Sequence, residues 1–396
     1  MQEIVDSITA DDRNAEIART LLYPYLNHAA TMYGVGYATA ADIDAGMRFG
    51  CGYPIGPLAL VDALGAQTVV DGLEALYAKT SDDLHKPAQA LLDRVAAGDT
   101  FAAAAGDAGA APEIRRPVKS VGVVGTGTMA SGIAQVFAQS GFDVVFVGRS
   151  QEKLDGVLAY ITKNLDRSVS KGKLDEAGKD AILARLTGAT EREALADVDL
   201  VVEAIAEDLD IKLQLFRDLD RICKPGAILA TTTSSLSIAD CAAVTGRPQD
   251  VIGMHFFNPA PIMKLVEVVT TEDTAADVDE TVRALCFATK KHPVSCGDRA
   301  GFIVNALLFP YLNDAILFNE AGEGTLAEID EAMKGTKLPM GPFELLDVVG
   351  NDVSLAIQTT LVETFGHEGW TPAESLKKVV AEGKLGRKTK AGFHTY

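Results

Sequence analysis

Apolar residues along this chain follow two periods, and the change between them falls near residue 117. In residues 14–95 and again in 301–396 they recur at three- and four-residue spacing around Pro-x-Gly-Pro segments, which predicts two sets of short helices. From Val118 the pattern becomes β-branched runs alternating with amphipathic stretches, as in a parallel sheet covered by helices. The clearest predicted strands are Val121-Gly122-Val123-Val124, Val144-Val145-Phe146-Val147, Leu200-Val201-Val202 and Ile228-Leu229-Ala230. Two further β-type runs, Asp250 to Phe257 and Met263 to Thr270, are joined by Asn258-Pro259-Ala260-Pro261, and that turn-rich connection predicts an antiparallel pair.

The two helical regions are copies of one unit. Leu21-Leu22-Tyr23-Pro24-Tyr25-Leu26-Asn27 recurs as Leu307-Leu308-Phe309-Pro310-Tyr311-Leu312-Asn313, an offset of 286, and Ile43-Asp44 recurs as Ile329-Asp330 at the same offset. One residue is then lost: Pro54-Ile55-Gly56-Pro57 and Asp62 return as Pro339-Met340-Gly341-Pro342 and Asp347. The predicted organisation is an N-terminal helical domain at 1–95, a linker at 96–117 rich in Ala, Gly and Pro, a Rossmann-like doubly wound α/β domain at 118–300, and an all-α domain at 301–396. Arg19 stands in the first copy where the second has Asn305, so the first copy reads as degenerate and structural.

With 36 basic against 55 acidic side chains the formal net charge is −19, which repels polyanions and argues against a nucleic-acid partner. No apolar stretch approaches the roughly 20 residues of a membrane helix, and no N-terminal signal pattern is visible. Five scattered cysteines without CxxC spacing suit reduced thiols and a cytoplasmic setting, and nothing in the His and Cys spacing supports a metal site.

Gly125-Thr126-Gly127-Thr128-Met129-Ala130 directly follows the first predicted strand and opens an amphipathic helix. Gly125 permits the tight turn, and Gly127 lets the backbone approach a pyrophosphate at the positive end of the helix dipole. Dinucleotide binding is the expected role, with packing alone as the bland alternative. About 20 residues on, where an NAD site normally offers an acid to the ribose, stands Gly148, with Arg149 and Ser150 next in the chain. A guanidinium there suits a 2′-phosphate, so NADP is expected to serve at least as well as NAD. The alternative leaves Arg149 as a surface charge on the adenine with NAD preferred.

Side chains facing one another on the predicted hairpin have Cβ atoms roughly 5 Å apart, within reach of a hydrogen bond between His255 and Glu267. A carboxylate beside an imidazole stabilises the imidazolium and fixes which ring nitrogen faces a substrate, as removal of a hydroxyl proton during hydride loss requires. A hydrogen-bonded core histidine with a structural Glu is the competing reading. Ser234 and Ser235, just past the strand ending Ala230-Thr231, lie where ligands of open α/β sheets bind.

Gly125-Thr126-Gly127-Thr128-Met129, Val201-Val202-Glu203-Ala204, Thr233-Ser234-Ser235-Leu236, His255-Phe256-Phe257-Asn258-Pro259 and Gly301-Phe302-Ile303-Val304-Asn305 occur in that order. Through them residues 118–396 resemble the 3-hydroxyacyl-CoA dehydrogenases, most nearly the short-chain 3-hydroxybutyryl-CoA type. The resemblance implies reversible oxidation of an (S)-3-hydroxyacyl-CoA in β-oxidation or butanoate metabolism, with His255 as base and Glu267 orienting it. It further implies that Ser234 and Asn305 hold the substrate oxygen and thioester region, while Glu207, Lys212, Ser234, Asn258 and Lys388 contact the cofactor. Asn258 is also expected at the substrate, and Lys171 at the CoA phosphates, a solvated helix-end charge being the alternative for Lys171. Thr232 and Gly148 depart from the family's Asn and Asp, and both departures bear on the cofactor. In the family paired helical domains form a dimer, so the two copies here imply an internal pseudo-dimer, with a homodimer as the other assembly. A dehydrogenase for free β-hydroxy acids, which relies on a Lys, and a non-catalytic dinucleotide sensor are the competing functions.

Overall fold

The computed structural model describes residues 1–104 and 111–396. It divides into two compact units, one of Met1–Ala108 with Ala300–Tyr396 and the other of Gly109–Arg299.

The second unit is built on one eight-stranded sheet. Its strands are β1 (Ser120–Val124), β2 (Asp143–Val147), β3 (Leu186–Ala189), β4 (Leu200–Glu203), β5 (Ile228–Thr231), β6 (Val251–Phe256), β7 (Leu265–Thr270) and β8 (His292–Gly297). Their order is β3-β2-β1-β4-β5-β6-β7-β8. Pairing is parallel from β3 through β6, antiparallel between β6 and β7, and parallel again between β7 and β8. β4, β5 and β6 are buried along their whole length, in keeping with their largely apolar sequences. The helix Thr128–Gln139 lays Ile133, Ala134 and Phe137 on this sheet. Each such side chain removed from water is worth about 1.5–3 kcal/mol for the larger residues. β3 and β8 are additions to the predicted strands. β3 has only four residues and includes Gly188 against the Phe146 ring, and β8 carries Pro293.

In the helical unit the duplicated residues do the same work in both copies. Asn27, on the helix Arg13–Gly34, donates to the carbonyls of Leu84 and Lys86 and accepts from the Ala88 amide. Asn313, on the helix Val304–Glu320, donates to Thr371 O and accepts from the Ala373 amide. Asp44 accepts from the amides of Leu58 and Ala59, as Asp330 does from Phe343. Asp62 holds the amides of Phe101 and Ala102, and Asp347 those of Phe393 and His394. Asp44, Asp62 and Asp330 thereby satisfy otherwise orphaned donors at helix starts. The two long helices pack together, and the rings of Tyr25 and Tyr311, equivalent in the repeat, meet with centroids 5.9 Å apart. Arg19, at the position of Asn305, donates to the carbonyls of Ile8 and Ala10 and so closes the end of the first helix, Gln2–Thr9.

The stretch expected as a linker is tied down at both ends. Phe101 is buried with its ring edge-on to Tyr33. Arg116 makes ion pairs with Asp250 at 2.7 Å and Asp277 at 2.8 Å. Its middle, 105–110, lies outside the described residues. Among the described residues no single helix is long and apolar enough to cross a membrane.

Candidate active site

Strands β1, β2, β4 and β5 point their carboxyl ends to one edge of the sheet, and the Gly-rich turn lies there. Gly125 has φ 133°, and a Cβ on it would lie 2.3 Å from the Ala204 carbonyl oxygen, so only glycine lets this turn rest against the end of β4. Gly127 caps the helix Thr128–Gln139 without any side chain, and nothing lies within 4 Å of where its Cβ would be. The first-turn amides are therefore available to an anion. The turn opens on a groove of about 600 Å³ lined by Gly125, Gly127, Thr128, Met129, Gly148 and Arg149, together with Ile211, Thr190 and Arg192. These features fit a dinucleotide: glycines where backbone must come close, donors where a pyrophosphate carries charge, and an apolar wall for a base.

Behind the groove runs a buried charge network. Glu203 at the end of β4 is fully buried and accepts from Lys212 Nζ at 2.7 Å, Thr231 Oγ1 at 2.6 Å and the Ile205 amide at 2.8 Å. Lys212 also lies 3.3 Å from Glu207. Glu207 in turn accepts from Thr233 Oγ1 at 2.5 Å, the Ser234 amide at 2.9 Å and Ser234 Oγ at 3.4 Å. Burial alone would raise the Glu207 carboxyl, but Lys212 and these donors hold it below its ordinary value. Lys212 is 1% exposed, which sets it beneath the groove as the cation between two carboxylates. Ser234 thus sits just beyond β5 with its amide held by Glu207.

The β6–β7 register pairs His255 directly with Glu267. The Nδ1···Oε2 distance is 2.6 Å, His255 is 8% exposed and Glu267 fully buried. A neutral ring that donates from Nδ1 to the carboxylate presents Nε2 as its lone-pair nitrogen. The connection between these strands is fastened by a residue sequence reasoning passed over. Lys291 is 6% exposed and donates from Nζ to the carbonyls of Ala260 at 2.5 Å and Met263 at 2.7 Å. Burial pushes its amine down to about 8. Asn258, on the same connection, is exposed.

Three more of the expected residues are Lys171, Asn305 and Lys388. Lys171 is the exposed C-cap of the helix Gln151–Ser170, whose N-cap is Ser150, so that serine is engaged in capping. In the helical unit Asn305 is 8% exposed, and its amide has no hydrogen-bond partner among the described residues. Lys388 is paired with Asp352 at 2.6 Å.

An open, mostly parallel sheet with a glycine turn opening onto a groove at its carboxyl edge defines the class of dinucleotide-binding folds. Residues 120–299 match the model of the 3-hydroxyacyl-CoA dehydrogenase NAD binding domain, and residues 17–110 and 301–396 both match that of the C-terminal domain. The chain belongs to the 3-hydroxyacyl-CoA dehydrogenase family. It is 47% identical over 275 residues to the 3-hydroxybutyryl-CoA dehydrogenase of Clostridioides difficile, covering 69% of this chain and 98% of that one. Identity to the mitochondrial hydroxyacyl-coenzyme A dehydrogenase of Homo sapiens is 44% over 297 residues, covering 70% and 91%. The crystal structure of (S)-3-hydroxybutyryl-CoA dehydrogenase from Ralstonia eutropha superimposes with a TM-score of 0.69 at 40% identity, over 71% of this chain and 99% of that one.

Proposed function

We propose that this chain catalyses the reversible oxidation of an (S)-3-hydroxyacyl-CoA, short-chain as in 3-hydroxybutyryl-CoA, to the 3-oxoacyl-CoA. The observation that carries the reading is the His255–Glu267 pair at 2.6 Å, in the same α/β unit as a groove that fits a dinucleotide. In the oxidation the 3-hydroxyl gives its proton to His255 Nε2 as the C3–H bond breaks, and Glu267 stabilises the imidazolium so formed. A nicotinamide ring bound in the groove supplies the two-electron acceptor. In the reverse direction His255 returns the proton to the oxygen. Ser234, braced by Glu207, is assigned to the substrate oxygen, and Asn258 to the cofactor and substrate. Asn305 is assigned to substrate on the resemblance.

For the cofactor, the family's dinucleotide domain supports NAD. Gly148 and Arg149 on the groove favour the finer reading that NADP serves at least as well. The paired helices and the Tyr25–Tyr311 contact favour reading the two helical copies as an internal pseudo-dimer, which takes the place of a second chain. A sedimentation mass near the 41.8 kDa of one chain is expected, and a stable dimer would count against that assembly.

The test of the reaction is oxidation of (S)-3-hydroxybutyryl-CoA followed at the nicotinamide absorbance with NAD+ and with NADP+. Turnover with either is expected. No turnover with both would overturn the assignment, and a large NAD+ preference would remove the finer cofactor reading.

A further inference from the structure

Gly148 directly follows β2, at the place where a dinucleotide fold ordinarily offers an acid to the adenosine ribose. Here the position is crowded. A Cβ on Gly148 would lie 2.5 Å from Thr126 Cγ2 and 3.0 Å from Leu154 Cδ2, so a side chain there has to displace both methyls. Thr126 belongs to the glycine turn itself, so the crowding against a carboxylate comes from the loop that would hold the pyrophosphate.

The residues beyond Gly148 matter as much. The last pair of the β2–β3 register is Val147 with Ala189, and the Gly148 amide donates to the Ala189 carbonyl at 3.1 Å. Gly148-Arg149 and Thr190-Glu191-Arg192 therefore leave the sheet side by side, and Arg149, Thr190 and Arg192 all line the groove. The two guanidiniums are held differently. Arg149 is exposed and makes no ion pair among the described residues. Arg192 is fixed by an ion pair from Nη1 to Asp218, with its side chain 40% exposed. In a chain of net charge −19, two arginines converging on one groove without an acid in the ribose position form a local exception to the protein's field.

We propose that Arg149 and Arg192, with the Thr190 hydroxyl, form a two-walled site for the 2′-phosphate of an adenine dinucleotide, and that Thr126 enforces this choice by keeping Gly148 bare. Arg192 is the pre-positioned wall, oriented by Asp218. Arg149 is the exposed wall, whose planar fork meets the phosphate. The inference rests on the reading of this groove as a dinucleotide site and sharpens it from tolerance of NADP to discrimination in its favour.

The experiment is calorimetric titration of the whole chain with 2′,5′-ADP and with 5′-AMP, for the wild type, Arg149→Ala and Arg192→Ala, with NADH binding measured beside it by fluorescence. Wild type is expected to bind 2′,5′-ADP at least about tenfold tighter than 5′-AMP, as a charge-assisted phosphate contact implies. Each variant is expected to cut that ratio roughly fivefold or more while 5′-AMP binds within about twofold of wild type. A wild type that does not distinguish the two fragments, or an Arg192→Ala ratio equal to wild type, overturns the two-walled site while leaving the dinucleotide reading intact. Failure of NADH and both fragments to bind would instead defeat the dinucleotide reading, and the site with it. A melting curve for each variant separates lost binding from lost fold. A third variant, Gly148→Asp with Thr126→Gly, is expected to bring the ratio down towards one, whereas an unchanged ratio would contradict the role given to Thr126.

Discussion

Glu267 Oε2 stands 2.6 Å from His255 Nδ1 because β6 and β7 pair these two residues in antiparallel register. A slip of one residue would turn both side chains to opposite faces, so the strand pairing itself assembles the dyad. Replacing Glu267 by Gln keeps the shape but removes the charge that stabilises the imidazolium. Steady-state kinetics of Glu267→Gln should show kcat lower by roughly 10- to 1,000-fold with substrate KM little changed. A kcat within twofold of wild type would assign Glu267 to packing alone.

Lys212 is the cation of a buried network whose carboxylates are Glu203 and Glu207. Lys212→Met leaves Glu203 buried without its counter-charge, which costs about 3–5 kcal/mol. Chemical denaturation of the α/β unit should register that loss, and the double variant with Glu203→Leu should recover much of it. Additive losses in the double variant would show that the pair is not coupled.

Lys291 acts on the hairpin through two carbonyls, those of Ala260 and Met263. In Lys291→Met these lose their donor and the connection carrying Asn258 loosens. A fall in kcat of about tenfold is expected, with 5′-AMP affinity held within twofold, since the groove at the glycine turn is lined by other segments. Loss of 5′-AMP binding in proportion to activity would mean that the whole unit had been disturbed instead.

Asp314 on the helix Val304–Glu320 is pushed up to about 8 by burial and by the nearby Asp82 carboxylate. The native state keeps its proton through neutral pH while the unfolded chain releases it near 4. Stability contributed by this group is therefore complete below about pH 4 and is lost as pH rises towards 8. Asp314→Asn should raise the melting temperature of the helical unit at pH 8 and leave it nearly unchanged at pH 4. Equal shifts at both values would remove the titration from the explanation.

What the sequence made legible was what it states by pattern. The repeat announced itself through Tyr25-Leu26-Asn27 and Tyr311-Leu312-Asn313, and the structure gives both asparagines the same bracing task. The His255–Glu267 hairpin was readable because a turn-rich connection separates two β-type runs. Glu203 and Lys291 were not recognised as organising residues, because a charged side chain at the end of an apolar strand or helix gives no sign of whether it faces water or a buried partner. Lys212 and Lys388 show the same blindness, the first sunk between carboxylates and the second paired with Asp352. Arg192 needed the β2–β3 register before it could be set beside Arg149. β3 was missed because it is short, with Thr187 and Gly188 exposed, and so shows no apolar run.

The measurement that tests the central claim most directly is acetoacetyl-CoA reduction, followed at the nicotinamide absorbance with NADH and NADPH, for the wild type and His255→Ala. Dinucleotide binding and melting temperature are measured on both proteins. The account predicts turnover in the wild type and a kcat lower by about 10²–10⁴-fold in a folded, dinucleotide-binding His255→Ala. A His255→Ala enzyme that reduces acetoacetyl-CoA at the wild-type rate, or a folded wild type that does not reduce it at all, would contradict it.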